Sequence, residues 1–475
     1  MFAYTQAGSQ PSTLDLPMHR SLLLAASICI AGSTFAQLPR LKVSDNDRHL
    51  VKQDGMPFFY LADTAWELFH RATREDADRY LEDRARKGFN VIQAVAVAEF
   101  GGLTEPNRYG HLALADGDPT KPNERYFEHV DYIVNKAAAL GLYTGLLPTW
   151  GDKVNKKWGE GPEIFTPENA LIYGEWLGRR YREKAVIWIV GGDRPIESER
   201  HRLVYRAMAE GLRSGDGGAH LITYHPMGGH SSSEYVHDEP WLDFNMMQSG
   251  HAGRNNASDR MIARDYARTP AKPTLDGEPN YEDHPVRGSK LKDDWFDEWD
   301  VRKESYWSVF AGGAGVTYGS HPIWAFWDGK SKKLADQRHS WLEALSLPGS
   351  AQVGHLRRLI ESRPFLTRIP DQSLIVSPNP TGAAHIQATR DSAGTCAMIY
   401  SASGQPFTVA LALLPAKTLK SWWFDPRTGE AKPAGDVTND GKPLEFTPPT
   451  SGDGADWVIV LDDPRKEWPA PGAAR

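Results

Sequence analysis

Cysteine is nearly absent from this chain, with two in 475 residues, at positions 29 and 396. That excludes a fold stapled by internal disulfides, so stability must come from a large core. A basic excess is also missing. Lys and Arg number 54 against 61 Asp and Glu, a formal charge of −7, which removes the electrostatic footprint of a nucleic-acid partner. The one conspicuous apolar stretch, residues 21–32, is too short to cross a bilayer, so no integral membrane segment is expected. The catalytic signatures G-x-S-x-G and G-x-x-x-x-G-K-[ST] are lacking, and Gly312-Gly313 has no dinucleotide-loop setting. His225, His230, His237 and His251 do not have the spacing of a helical His pair such as H-E-x-x-H. No metal or organic cofactor is expected.

What is present begins with size. A chain of 475 residues outgrows a single core, so two folded domains are expected. Met18-His-Arg20, the apolar run 21–32 and Thr34-Phe-Ala36 before Gln37 read as an export signal over residues 1–36. Met18 is taken as the initiator, an unusually long leader being the alternative. Loss of that segment removes Cys29 and leaves Cys396 alone, which suits a periplasmic or secreted protein. The sequence leaves oligomeric state open.

Short apolar segments alternate with helical patterns from residue 57 to 327. The strand candidates are 58–62, 90–97, 142–147, 186–190, 221–224, 244–247, 272–275 and 315–318. Thr73 is a predicted N-cap for a helix ending at Gly88, and Thr166-Pro167 opens another. Eight βα units of this kind predict a parallel (β/α)8 barrel over residues 37–360. After Pro364 the pattern changes to short strands at 373–376, 395–400, 407–413, 421–425 and 456–461, separated by turns such as Asp425-Pro-Arg-Thr-Gly429. These predict an antiparallel β-sandwich at 365–463, followed by a disordered tail at 464–475.

A barrel of this kind gathers chemistry at the carboxyl ends of its strands. Two acids stand there: Asp193, in Val186-Ile-Trp-Ile-Val-Gly-Gly-Asp193-Arg-Pro195, and Glu278, in Asp276-Gly-Glu278-Pro-Asn280-Tyr281. Asp before Pro also suits a helix N-cap, and Glu278 also suits a solvated loop. Asp276 competes with Glu278 if the strand runs on far enough for both to share a face. A pair of acids tuned to different pKa values is what glycosidic cleavage requires, one protonated at the leaving oxygen and one ionised at the anomeric carbon. Tyr224, Tyr281 and Asn280 are candidate partners of the nucleophile. Trp66, Trp150, Trp324 and Trp327 are candidate sugar-stacking rings, with core packing as the alternative for each. The polar strand ends Asp63, Gln93, His225, Gln248, His251 and His321 complete the substrate-binding candidates.

Residues 40 to about 460 resemble the apiosidase-like glycoside hydrolases, whose barrel carries a C-terminal collagen-binding-type β-domain. The resemblance rests on Phe59-Tyr-Leu-Ala-Asp63-Thr-Ala-Trp66-Glu67, Lys87-Gly-Phe-Asn90-Val-Ile-Gln93, Trp188-Ile-Val-Gly-Gly-Asp193, Asp276-Gly-Glu278-Pro-Asn-Tyr281-Glu282, Gly312-Gly-Ala-Gly315-Val-Thr-Tyr318 and Trp423-Phe-Asp-Pro-Arg-Thr-Gly429. It implies removal of a terminal pentofuranose, β-D-apiofuranose, from plant pectin, with Asp193 as acid/base, Glu278 as nucleophile and retention of configuration. Related retaining barrels carry Asn-Glu on strand four, where this chain has Gly192-Asp193, so a 2-hydroxyl contact must come from another residue. The rival readings are an endo-acting hydrolase of another polysaccharide and a non-catalytic carbohydrate-binding protein.

Overall fold

The computed structural model describes residue 8 and residues 37–291 and 293–473; the expected export signal lies outside the described residues. Residues 37–475 form one compact unit. Its centre is a parallel sheet of eight strands in sequence order: β1 (Tyr60–Thr64), β2 (Val91–Val95), β3 (Tyr143–Leu147), β4 (Val186–Gly191), β5 (Ile222–His225), β6 (Asn245–Gln248), β7 (Thr274–Asp276) and β8 (Gly315–Tyr318). β8 pairs with β1, and the remaining gap between β5 and β6 is bridged by Asp243 N–H donating to Ile222 O at 2.9 Å and Thr223 Oγ1 donating to Phe244 O at 2.7 Å. The expected (β/α)8 barrel is therefore the fold.

Alternation along each strand divides its residues between two cores. Tyr60, Ala62, Val91, Val95, Tyr143, Leu147, Ile187, Ile189, Phe244, Met246 and Leu275 fill the interior. Leu61, Ile92, Ala94, Leu146, Trp188, Val190 and Tyr224 face the helices outside. An antiparallel ribbon built from Leu41–Val43, Leu50–Lys52 and Pro57–Phe58 supplies Leu41, Leu50 and Phe58 to the interior core.

The helices between strands are α1 (Arg74–Arg86), α2 (Glu124–Ala139), α3 (Pro167–Tyr181), α4 (Glu199–Asp216), α5 (Ser258–Tyr266), α6 (Glu298–Phe310) and, after β8, α7 (Gly349–Glu361). Thr73 and Thr166 start α1 and α3 through capping boxes, as their sequence positions predict. The fifth crossover is different. Between β5 and β6 the chain makes a two-residue antiparallel strand, His230–Ser231, and one 3-10 turn. Pro226, Gly228, Gly229 and Pro240 interrupt any helical stripe there.

β9 (Arg368–Pro370), β10 (Ile386–Asp391), β11 (Cys396–Ser401), β12 (Phe407–Ala410), β13 (Thr418–Phe424), β14 (Ala431–Thr438), β15 (Pro443–Phe446) and β16 (Trp457–Asp462) build the C-terminal part. A six-stranded sheet, in the order β9-β10-β11-β16-β13-β14, faces the pair β12-β15 across Ile399, Phe407, Val409, Leu419, Phe446 and Ile459. Its other face joins the barrel's helical layer, where Tyr400 stacks on Tyr306 of α6 at 4.6 Å. Buried ion pairs cross the same boundary, Arg302 to Asp456 at 2.6 Å and Arg363 to Asp462 at 2.7 Å.

Two expectations need correction. The segment at 373–376 is a 3-10 turn, Gln372–Leu374, with one isolated bridge from Ile375 to Val409. Residues 464–473 do not trail free. Gly472 N–H donates to Ser362 Oγ, Pro469 O accepts from Arg363, and that guanidinium stacks on Trp468 at 5.3 Å. A proline-rich composition suggested disorder, but one buried arginine holds the segment.

Candidate active site

The two acids meet through a histidine. Gly191 and Gly192 end β4 with φ of 94° and 129°, a backbone that a side chain would strain. A Cβ at Gly192 would also meet the Trp150 ring at 2.8 Å. The turn delivers Asp193, itself at φ 48°, to the barrel mouth with its side chain 27% exposed. Ser198, not Asp193, caps α4. The Asp193 backbone N–H donates to His225 Nδ1 at 3.3 Å, and His225 Nε2 stands 3.0 Å from Glu278 Oε2. One imidazole at the end of β5 thus spans the backbone of one acid and the carboxylate of the other.

Glu278 has a second imidazole, with His251 Nε2 at 3.0 Å from Oε1. Burial pushes the Glu278 carboxyl up, but His225 and His251 outweigh it and hold the group at about 2. Asp193 is shifted the opposite way. Burial and the Glu278 charge raise it above the ordinary carboxylate value, against the pull of Arg194, Trp158 and His225. The two carboxyls are therefore tuned apart, one ionised and one inclined to keep its proton, which is the division of labour that acid/base glycoside cleavage needs.

Around Glu278 the rings close in. Trp66 packs 5.0 Å from Trp150 and edge-on to His225 at 5.4 Å, and its Nε1 donates to Tyr281 Oη at 3.1 Å. The Glu278 charge in turn raises the Tyr281 phenol, after burial. His251 stacks near Tyr281 at 4.3 Å and His284 at 4.5 Å, and His284 lies 4.4 Å from His321. His321 Nδ1 accepts from Trp324 Nε1 at 3.1 Å, and burial with the charges of His251, Arg287 and Arg338 brings His321 down to about 3. Trp150 Nε1, Gln248 Oε1, His251 Nδ1 and His321 Nε2 are buried and make no hydrogen bond among the described residues. Buried polar atoms of that kind are the partners a sugar's hydroxyl groups would seek.

Not every candidate residue belongs to this mouth. Five of the eight strands run one or two residues further than their apolar runs suggest, β1 as far as Thr64, and the two faces alternate. Asp63 consequently points outward, where Tyr80 donates at 2.6 Å and Arg84 Nε at 2.6 Å. Tyr224 also faces the helices, its hydroxyl donating to Arg194 O at 2.7 Å, and cannot serve as a partner of Glu278. Asn280 is buried against Glu304 at 2.7 Å and Asn256 at 3.1 Å. Gln93 donates to Thr317 Oγ1 at 2.6 Å and Gly277 O at 3.2 Å within the barrel. Trp327 donates to Ser331 O at 2.8 Å, on a neighbouring loop. Asp276 is no rival to Glu278, because β7 ends at Asp276 and the chain turns before Glu278. Asp276 Oδ1 instead accepts from Ser249 and Glu278 N–H groups at 3.3 Å, bracing the loop, and burial raises its carboxyl to about 6.

Three residues beside Asp193 escaped the sequence reading. Trp158 Nε1 donates to Asp193 Oδ2 at 3.2 Å. Arg194, fully buried, donates to Asp193 Oδ2 at 3.1 Å with Nη1 and pairs with Glu99 through Nη2. Burial, above all, raises Glu99 to about 7 against that arginine. Arg194 is adjacent to Asp193, but Glu99 and Trp158 lie on the loops after β2 and β3, where no local pattern marks them. Among the described residues no group of three or more His, Cys, Asp or Glu is placed to hold a metal ion.

Residues 44–367 match the family described as apiosidase-like, catalytic domain, and residues 369–462 match one described as a putative collagen-binding domain of a collagenase. A solved structure titled glycoside hydrolase is 31% identical, with a TM-score of 0.82 over 90% of this chain and 97% of its own. A second, a glycoside hydrolase family 5 protein from Bacteroides vulgatus, is 31% identical with a TM-score of 0.82, over 91% of this chain and 95% of its own. A third from the same organism, at 13% identity and a TM-score of 0.64, covers 90% of this chain and 82% of its own and shares the fold. No curated protein matches the chain.

Proposed function

The chain belongs to the apiosidase-like glycoside hydrolases, and from that premise we propose that it removes terminal β-D-apiofuranosyl units from pectin side chains with retention of configuration. Glu278 attacks the anomeric carbon as Asp193 protonates the leaving oxygen; the bond from that carbon to the leaving group breaks and a glycosyl-enzyme forms on Glu278. Asp193, now ionised, takes a proton from water, which attacks the same carbon and frees Glu278. The observation that carries this reading is the opposed tuning of the acids. Glu278 is kept anionic by His225 and His251 at 3.0 Å each, while burial and that anion favour the protonated form of Asp193. Export to the periplasm or beyond is part of the proposal and rests on the apolar run at 21–32.

The test is a panel of glycans that includes apiose-bearing pectin fragments, assayed with wild type, Asp193→Asn and Glu278→Gln. Turnover of the apiosides should fall by ~10²–10⁴-fold or more in each variant. Proton NMR from the first seconds should show the retained anomer before mutarotation. Near-normal activity in either variant overturns the residue roles, and an inverted first product would make Glu278 a general base. Cleavage of an internal linkage instead would favour the endo-acting alternative.

A further inference from the structure

We propose that Trp158 is the stacking platform for the sugar ring on the leaving-group side of the scissile bond. This rests on Asp193 being the acid. Proton donation to the leaving oxygen places the leaving sugar on the Asp193 side of the cleavage point, and Trp158 is the aromatic ring bonded to that carboxylate, Nε1 to Oδ2 at 3.2 Å. The residue is 60% exposed, an unusual state for a tryptophan. It is nevertheless held. The Arg194 guanidinium lies 4.7 Å from its ring centroid and covers one face. Its loop is pinned on both sides, by Gly161 N–H donating to the buried Asp152 Oδ2 at 2.7 Å and by Arg194 Nε donating to Lys156 O at 3.4 Å. A fixed indole with one face on a cation and the other open offers an apolar plane of the size of one sugar ring. The open face suits the C–H face of a pyranose, and the cation beneath does not compete for it.

The experiment compares two substrates carrying the sugar that the panel above identifies: its natural oligosaccharide, and its glycosyl fluoride, which has no leaving-group ring. Wild type, Trp158→Phe and Trp158→Ala are assayed on both. Whatever W158A costs on the fluoride through the lost bond to Asp193, the oligosaccharide should lose a further tenfold or more in kcat/KM, mostly through KM. That factor corresponds to about 1.4 kcal/mol. W158F keeps a ring without the N–H and should recover most of that further loss. Equal losses on the two substrates, or a W158F as poor as W158A on the oligosaccharide alone, would overturn the platform. A second measurement stands apart from turnover. The oligosaccharide lacking its terminal sugar should bind Glu278→Gln about tenfold more tightly than Glu278→Gln with Trp158→Ala, and equal affinities refute the proposal. Failure of the proposed reaction would appear elsewhere, as activity surviving in Asp193→Asn or Glu278→Gln.

Discussion

Replacing His251 by Leu tests how Glu278 is kept ionised. The imidazole donates to Oε1 at 3.0 Å, and together with His225 it overcomes a burial that by itself would raise the carboxyl, leaving Glu278 at about 2. A hydrogen bond to a charged group contributes about 1.5–3 kcal/mol. At 1.36 kcal/mol per pH unit, losing it should lift Glu278 by about 1–2 units. The sign follows from the direction of the shift. A carboxyl depressed below its ordinary value favours the native, active form above that ordinary value, and the benefit is lost as pH falls through the depressed one. The wild-type acid limb therefore lies below the assayed range, and the variant's should enter it at about pH 3–4. The assay is kcat/KM from pH 3 to 8, with circular dichroism at each pH to confirm that the variant stays folded. Leu fills the space against Tyr281 and His284, so a change confined to the acid side isolates the lost donor. A uniform drop at every pH with no movement of the limb would refute the reasoning and assign His251 to substrate binding alone.

Asp276→Asn keeps the loop's shape and its acceptor oxygen, so kcat/KM should fall by less than about tenfold; total loss with Glu278→Gln still active would exchange the roles of the two acids. Arg302→Met leaves Asp456 buried without its 2.6 Å partner and should cost about 3–5 kcal/mol, read as a lower denaturant midpoint for the whole unit. If instead only the C-terminal signal shifted, the two parts would be uncoupled. The C-terminal sheets are expected to support the barrel and not to bind collagen, because one sheet face is consumed against the barrel's helical layer at α6; a collagen pull-down by the full chain at micromolar affinity would contradict this.

What the sequence made legible, and what it hid, divides by the range of the interaction that decides it. The barrel was readable because buried parallel strands are apolar on both faces, and β8 lies where its apolar run placed it, at Gly315–Tyr318. Thr73 and Thr166 were readable because a cap is settled within four residues. β9, β10, β14 and β15 were passed over, and β14 shows why: it is mostly exposed and carries Lys432, Pro433, Gly435 and Asp436, so its pairing with β13 comes from the partner strand and not from its own composition. In the site, both acids announced themselves by standing after strands, Asp193 behind Gly191-Gly192 and Glu278 between Gly277 and Pro279. Asp63 was misplaced because β1 runs two residues beyond its apolar segment, to Thr64, which puts Asp63 inside the strand on the face toward the helices.

The residues that tune the acids belong to a third class. His225 and His251 were selected as sugar partners because each ends a strand; that both point at Glu278 depends on how three strand ends converge. Glu99 and Trp158 are further out still, on loops joined to Asp193 only by the closure of the barrel. The position of each acid can thus be a local matter while its pKa is a property of the assembled mouth. A change at Glu99, about a hundred residues from Asp193 in sequence, should for that reason disturb the acid more than a change at Pro195, two residues away. Arg194, which serves both carboxylates, is the link through which it would act.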